Sequence, residues 1–151
     1  MKIYTDNAPC LRRKSKRVSR INAELRDFCI ELCKTMREAK GIGISAPQVG
    51  VNKRIVVVDD GGRNWILINP EILSKDANLV TINEGCLSVP GVYEDIARPD
   101  KVMVRYRDIN GKPDVTTVSG LKSRILQHEI DHLDGIIFTD YLTNEGSGIT
   151  I

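Results

Sequence analysis

The chain has little histidine, little excess charge and no long apolar run, and each shortage narrows what it can be. Lys+Arg 22 against Asp+Glu 20 leaves a formal net charge of +2, too small for nucleic acid to be its main or specific partner. No stretch approaches the roughly 20 apolar residues of a membrane span, and Met1–Asp6 opens without an apolar h-region. A membrane partner and export are therefore not expected, and the expected location is the cytoplasm. Repeats, linkers and low-complexity tracts are missing too. The 151 residues read as one domain, 1–151, large enough to bury a core without staples. Cysteines at 10, 29, 33 and 86 come without a secretory signal and read as reduced thiols. The whole chain holds only two histidines, and they sit together.

Those two stand in His128-Glu129-Ile130-Asp131-His132. Positions i and i+4 share a helix face, so both imidazoles can grip one metal ion. Glu129 then sits beside a water on that metal, placed to handle its protons. The surrounding pattern predicts a helix over roughly Leu121 to Leu133, stopped by Gly135.

Upstream, Arg12, Arg13, Lys14, Lys16, Arg17 and Arg20 form a basic segment, read as a solvated face or as a weak patch for an acidic partner such as ribosomal RNA. Asn22 has the chemistry of a helix N-cap. Leu25, Phe28, Cys29, Leu32, Cys33 and Met36 follow at helical spacing, with Gly41 placed to end the helix. Cys29 and Cys33 fall on that core-facing stripe with no histidine nearby, so they read as buried thiols rather than ligands.

From about 54 to 118 the pattern turns β-like. Ile55–Val58 leads into a turn at Asp59-Asp60-Gly61-Gly62, and Trp65–Ile68 is expected to end at Asn69-Pro70. Val102–Tyr106 and Val115–Val118 flank a hairpin turn at Asp108-Ile109-Asn110-Gly111. The predicted fold is α+β: a mainly antiparallel sheet packed around a central metal-binding helix, with an N-terminal helix.

A catalytic metal site needs a third protein ligand. The metzincin pattern supplies a third histidine after a glycine; Gly135 is in place, but Phe138 stands at the ligand position. A thermolysin-like site takes a glutamate well downstream, and the one present there is Glu145, in a Gly/Ser-containing tail. Upstream stands Glu84-Gly85-Cys86-Leu87-Ser88, where Cys86 is a plausible thiolate ligand. Gly41-Ile42-Gly43-Ile44-Ser45-Ala46-Pro47-Gln48 is unusual in another way. Its alternating glycines let backbone approach an extended peptide, and Gln48 can donate to a carbonyl oxygen as that oxygen gains charge. Taken alone, such a segment is also an ordinary turn.

The three segments, GIGISAPQ at 41–48, EGCLS at 84–88 and QHEIDHLDG at 127–135, resemble in sequence and order the signature of the peptide deformylases, over nearly the whole chain. The resemblance implies Cys86, His128 and His132 as metal ligands and Glu129 as general acid/base. It implies Gln48 and the Leu87 backbone N–H as the oxyanion hole. Gly43 and Gly85 would pair with substrate backbone, Ile44 and Ile125 would line the methionine pocket, and Arg98 would line the groove. Glu84 and Arg105 resemble a pair that braces the cysteine segment. Ser45 stands where the family most often has alanine, and being small it is expected to matter little.

The implied activity is removal of the N-formyl group from the formyl-methionine of nascent polypeptides, with release of formate. Hydroxide made at the metal would attack the formyl carbon. One divalent metal is implied, Fe²⁺ natively, with Zn²⁺, Ni²⁺ or Co²⁺ able to replace it. The partners implied are the formylmethionyl peptide and a transient ribosome contact, with a monomer as the expected assembly. Family members that continue into a long C-terminal helix use it on the ribosome. The sequence from Tyr141 to Gly148 shows no helical pattern, which puts that mode of docking in doubt. Two rivals remain at this stage: a zinc peptidase or aminopeptidase, disfavoured by Cys86 as third ligand, and a non-catalytic homologue that binds metal or formylated peptide. Glu129 and Gln48, which a binder does not need, separate the second.

Overall fold

The computed structural model describes residues 1–142; Glu145 and the tail from Thr143 onward lie outside the described residues. Helix α1 spans Ala23–Glu38, and the Asn22 side chain accepts a hydrogen bond from Leu25 N at 2.9 Å, capping it as its chemistry predicts. Leu25, Cys29, Leu32, Cys33 and Met36 are buried on one stripe. The stop differs from expectation: Lys40, not Gly41, takes the left-handed conformation (φ 59°). Lys40 N bonds Arg37 O and Gly41 N bonds Met36 O, so the last carbonyls are satisfied with a lysine at the strained position.

Five strands form one antiparallel sheet: β1 (Gly43–Ser45), β2 (Ile55–Asp60), β3 (Arg63–Lys75), β6 (Lys101–Arg107) and β7 (Pro113–Ser119), adjacent in that order. Between β3 and β6 the chain makes a separate two-stranded sheet, β4 (Leu79–Cys86) with β5 (Val89–Pro99). The turns at Gly61-Gly62 and at Asp108–Gly111 fall where the sequence places them. Strand β3 does not end at Asn69-Pro70. Its register shifts between Ile68 and Glu71, so the bulge absorbs a proline that has no N–H to give.

The run Ile55–Val58 is buried at every position, because the sheet has a helix on each face. Ile55 and Val57 face α1 with Ile44, Ala46 and Ile68. Val56 and Val58, with Leu67, Val102 and Val104, face helix α2 (Gly120–Leu133) through Ile125, Leu126, Ile130 and Leu133. A strand buried on both faces loses the alternating pattern and reads as a continuous apolar run. Each such side chain contributes about 1.5–3 kcal/mol by leaving water. The hairpin β4–β5 closes over α2: Arg124 donates to Ile96 O (2.7 Å) and Val80 O, and Gln127 to Pro99 O (2.8 Å). Thus α2 is buried over Ser123–Ile130, His132 and Leu133, polar residues included. The overall class is α+β with antiparallel sheets. Among the described residues no helix is long and apolar enough to cross a membrane.

Candidate metal centre

Helix α2 carries His128 and His132 one turn apart, with ring centroids 5.1 Å from each other. The end of β4 brings Cys86 to them, where the pairing with β5 shifts register between Gly85 and Cys86. Cys86 Sγ lies 3.3 Å from His132 Nε2, and one donor atom from each of Cys86, His128 and His132 lies within 4.8 Å of the others. Ser88 N donates to the sulfur at 3.4 Å, and Gln48 Nε2 approaches it at 3.7 Å. Both contacts point a donor at the sulfur and leave its remaining lone pairs for the histidine side.

Glu84, nearly fully buried, orders the other side. It accepts from His128 Nδ1 (2.7 Å), from Arg98 Nε (2.6 Å) and a second Arg98 nitrogen (3.1 Å), and from Arg124 (2.7 Å). Holding Nδ1 leaves the Nε2 of His128 to face Cys86 and His132. Burial alone would raise the Glu84 carboxyl, but the bonds from His128 and Arg98 outweigh it and lower it to about 2.

The two imidazoles are shifted in opposite senses. Burial disfavours a charged His128, yet hydrogen bonds to Cys86 and Glu84 and the charge of Glu129 prevail and raise it to about 10. His132 is pushed well below its ordinary value by burial and by the positive charges of His128 and Arg98. The centre of the cluster lies between the Cys86 sulfur and two buried carboxylates, Glu84 and Glu129, whose field favours positive charge. A divalent cation answers the same field. Cys, His and His form a borderline-soft set suited to a transition metal and leave a fourth position open. The donors present fit such an ion.

Glu129 is buried beside them, and burial, with the charge of Glu84 adding to it against the pull of His128, raises its carboxyl to about 7. Its Oε2 has no partner among the described residues. Gly43 makes room for it: a Cβ there would stand 3.0 Å from Glu129 Oε1 and 2.5 Å from Ile125 Cγ2. Gln48 sits in a short turn, Ala46–Val49, that follows β1. Its Oε1 accepts from Ser45 N (2.9 Å) and Ser45 Oγ (3.1 Å), which turns Nε2 toward Cys86 and Ser88. Ser45 thus does more than its size suggests, since its hydroxyl helps fix the amide. A cavity of about 510 Å³ opens here, lined among others by Gly43, Gly85, Leu87, Ile125, His128 and Glu129.

Three expectations are corrected. Ile44 does not line this cavity; it is fully buried in the α1-side core, because neighbouring strand residues face opposite ways and Gly43 already faces the cavity. Arg98 is no groove residue. It is 4% exposed and locked between Glu84 and Asp131, the latter at 2.8 Å. Arg105 does not brace Glu84: on β6 it alternates outward and pairs with Glu71 at 2.9 Å on the surface. Arg98 and Arg124 take that role. Arg124 escaped the sequence reading, although it stands four residues before His128 and so on the same helix face.

Comparison with known proteins agrees with this geometry. The family model described as polypeptide deformylase matches residues 1–147. A peptide deformylase of Picosynechococcus is 49% identical over 140 residues, covering 89% of this chain and 75% of that protein. A Gloeobacter violaceus protein named peptide deformylase 2 is 47% identical, covering 95% of this chain and 79% of its own length. The crystal structure of a Synechococcus elongatus peptide deformylase, in complex with actinonin, superposes with a TM-score of 0.92 at 44% identity, covering 95% of this chain and 79% of that one.

Proposed function

The chain belongs to the polypeptide deformylase family and is an enzyme of that class, a hydrolase, and from that premise we propose how its residues divide the work. Cys86 Sγ and the Nε2 atoms of His128 and His132 would hold one divalent metal, Fe²⁺ natively, with Zn²⁺, Ni²⁺ or Co²⁺ as substitutes. Bound there, the ion supplies a Lewis acid and a water of lowered pKa. Glu129 would accept a proton from the attacking water and pass it to the leaving amine, a task suited to a carboxyl raised to about 7. Gln48 Nε2 and the Leu87 N–H donate to the formyl oxygen as it becomes negative. Gly43 and Gly85 admit the substrate backbone, and Ile125 offers an apolar wall to the methionine side chain. Glu84, with Arg98 and Arg124, keeps His128 turned to the metal.

The observation that carries this reading is the unpartnered Oε2 of buried Glu129 beside a Cys/His/His cluster whose donors lie within 4.8 Å. A metal-binding homologue without catalysis has no use for that carboxylate. The substrate on this reading is the formylmethionyl end of a nascent polypeptide, met in the cytoplasm by a monomer that is a single catalytic domain. Release of formate from a formyl-Met peptide by Fe²⁺-loaded protein tests it. No formate from metal-replete protein, or full activity in Glu129→Ala, contradicts it.

A further inference from the structure

Residues 7–23 contain six cations and no acid, and the structure makes part of that run a fixed strip. Ser15 N bonds Leu133 O (2.7 Å), Lys16 N bonds Asn52 O (3.0 Å), and Arg54 N bonds Lys16 O (2.9 Å). Asn69 takes both backbone groups of Val18, each at 2.8 Å. With Ser15 and Val18 turned inward, Arg13, Lys14, Lys16, Arg17 and Arg20 are exposed, and Lys16 bridges to exposed Lys53. The acids nearby are already engaged: Asp140 with Arg12, Asp134 with Arg54, Glu71 with Arg105. Arg13, Lys14, Lys16, Arg20 and Lys53 have no ion pair among the described residues.

We propose that this strip is a docking surface for the phosphate backbone of RNA. The seven residue steps from Arg13 to Arg20 can reach at most about 23 Å at ~3.3 Å per residue. One strand of a nucleic-acid duplex presents about seven phosphates over that length, at ~3.4 Å each. A membrane fits less well. None of the large exposed apolar residues belongs to 12–20 or 52–54, so the strip itself carries no side chain to insert among lipids. The choice of RNA rests on the proposed nascent-chain substrate, which is carried by an RNA-rich particle. The geometry allows both to be engaged at once. Leu121, at one end of α2, lines the cavity, while Leu133, at the other, anchors the strip, about 18 Å away at ~1.5 Å per residue. The small net charge makes this a docking contact of modest strength, governed by salt.

The test is binding of a fluorescent RNA hairpin by the metal-loaded protein across a salt series. It compares the wild type with a strip variant (Arg13→Ser, Lys14→Ser, Lys16→Ser, Arg20→Ser) and a control losing equal charge elsewhere (Lys34→Ser, Arg63→Ser, Lys75→Ser, Lys101→Ser). Losing four phosphate contacts should flatten the log–log salt slope by about three and a half units and weaken binding at least about tenfold near ~50 mM salt. The control should bind like the wild type, and both variants should release formate from a free formyl peptide at wild-type rates. Equal loss in strip and control variants overturns the proposal. So does tighter binding to anionic phospholipid vesicles than to RNA at matched phosphate. Absence of formate from the wild type would instead strike the catalytic reading, which the RNA titration does not measure.

Discussion

Each helix carries two metal-capable side chains four residues apart, Cys29 and Cys33 on α1 and His128 and His132 on α2, yet the surroundings give them opposite characters. The α1 pair faces an apolar sheet surface of Ile44, Ile55, Val57 and Ile68. Burial pushes both thiols up to about 11, so they stay protonated and inert. The α2 pair faces a hairpin that brings a third donor, Cys86, to 3.3 Å from His132. That hairpin also brings Glu84, which fixes the ring of His128. Spacing on a helix makes a pair of ligands possible; the opposing element decides whether they meet a third.

The comparison breaks most sharply at Cys86. Cys86→Ala should abolish both metal retention and turnover, measured by metal analysis and formate release, whereas Cys29→Ala should leave both intact. Next in size is Gln48→Ala, which removes the proposed oxyanion donor but none of the proposed metal ligands. Its kcat should fall about 10²–10³-fold with metal content unchanged. A third experiment addresses the brace. Glu84→Gln leaves Arg124 buried without a carboxylate and Arg98 with Asp131 alone, and should cost about 3 kcal/mol in denaturant unfolding of metal-free protein.

That cost depends on pH in a defined sense. The Glu84 pKa is lowered from 4.5 in the unfolded chain to about 2 in the folded one. Its stabilisation is therefore complete above pH about 4.5 and is lost as pH falls toward about 2. The advantage of wild type over Glu84→Gln should shrink across that window. The smallest effect belongs to the α1 pair: Cys33→Ala should lower stability by roughly 1 kcal/mol through lost packing and leave the pH profile of turnover where it was.

What the sequence made legible follows the same division. Helix α1, its Asn22 cap and the histidine pair were readable because their signals are local and periodic. The hairpin over 79–99 was blurred into a β-like stretch, since its pairing across Asn83–Asp95 and Gly85–Tyr93 is a tertiary fact. The brace was misassigned for that reason: which arginine meets Glu84 depends on register, and β6 turns Arg105 to solvent. Two features follow from local geometry alone. If Gly43 faces a ligand, strand alternation forbids Ile44 from doing so. Arg124, four residues before His128, shares its helix face and was recoverable from spacing alone.

The most direct test is the spectrum of the Co²⁺-substituted protein. One equivalent of Co²⁺ should give a thiolate-to-metal charge-transfer band in the wild type and in the Cys29→Ala/Cys33→Ala double variant, and no such band in Cys86→Ala. A band that survives in Cys86→Ala, or disappears with Cys29 and Cys33, would place the metal on the wrong thiols and contradict the site described.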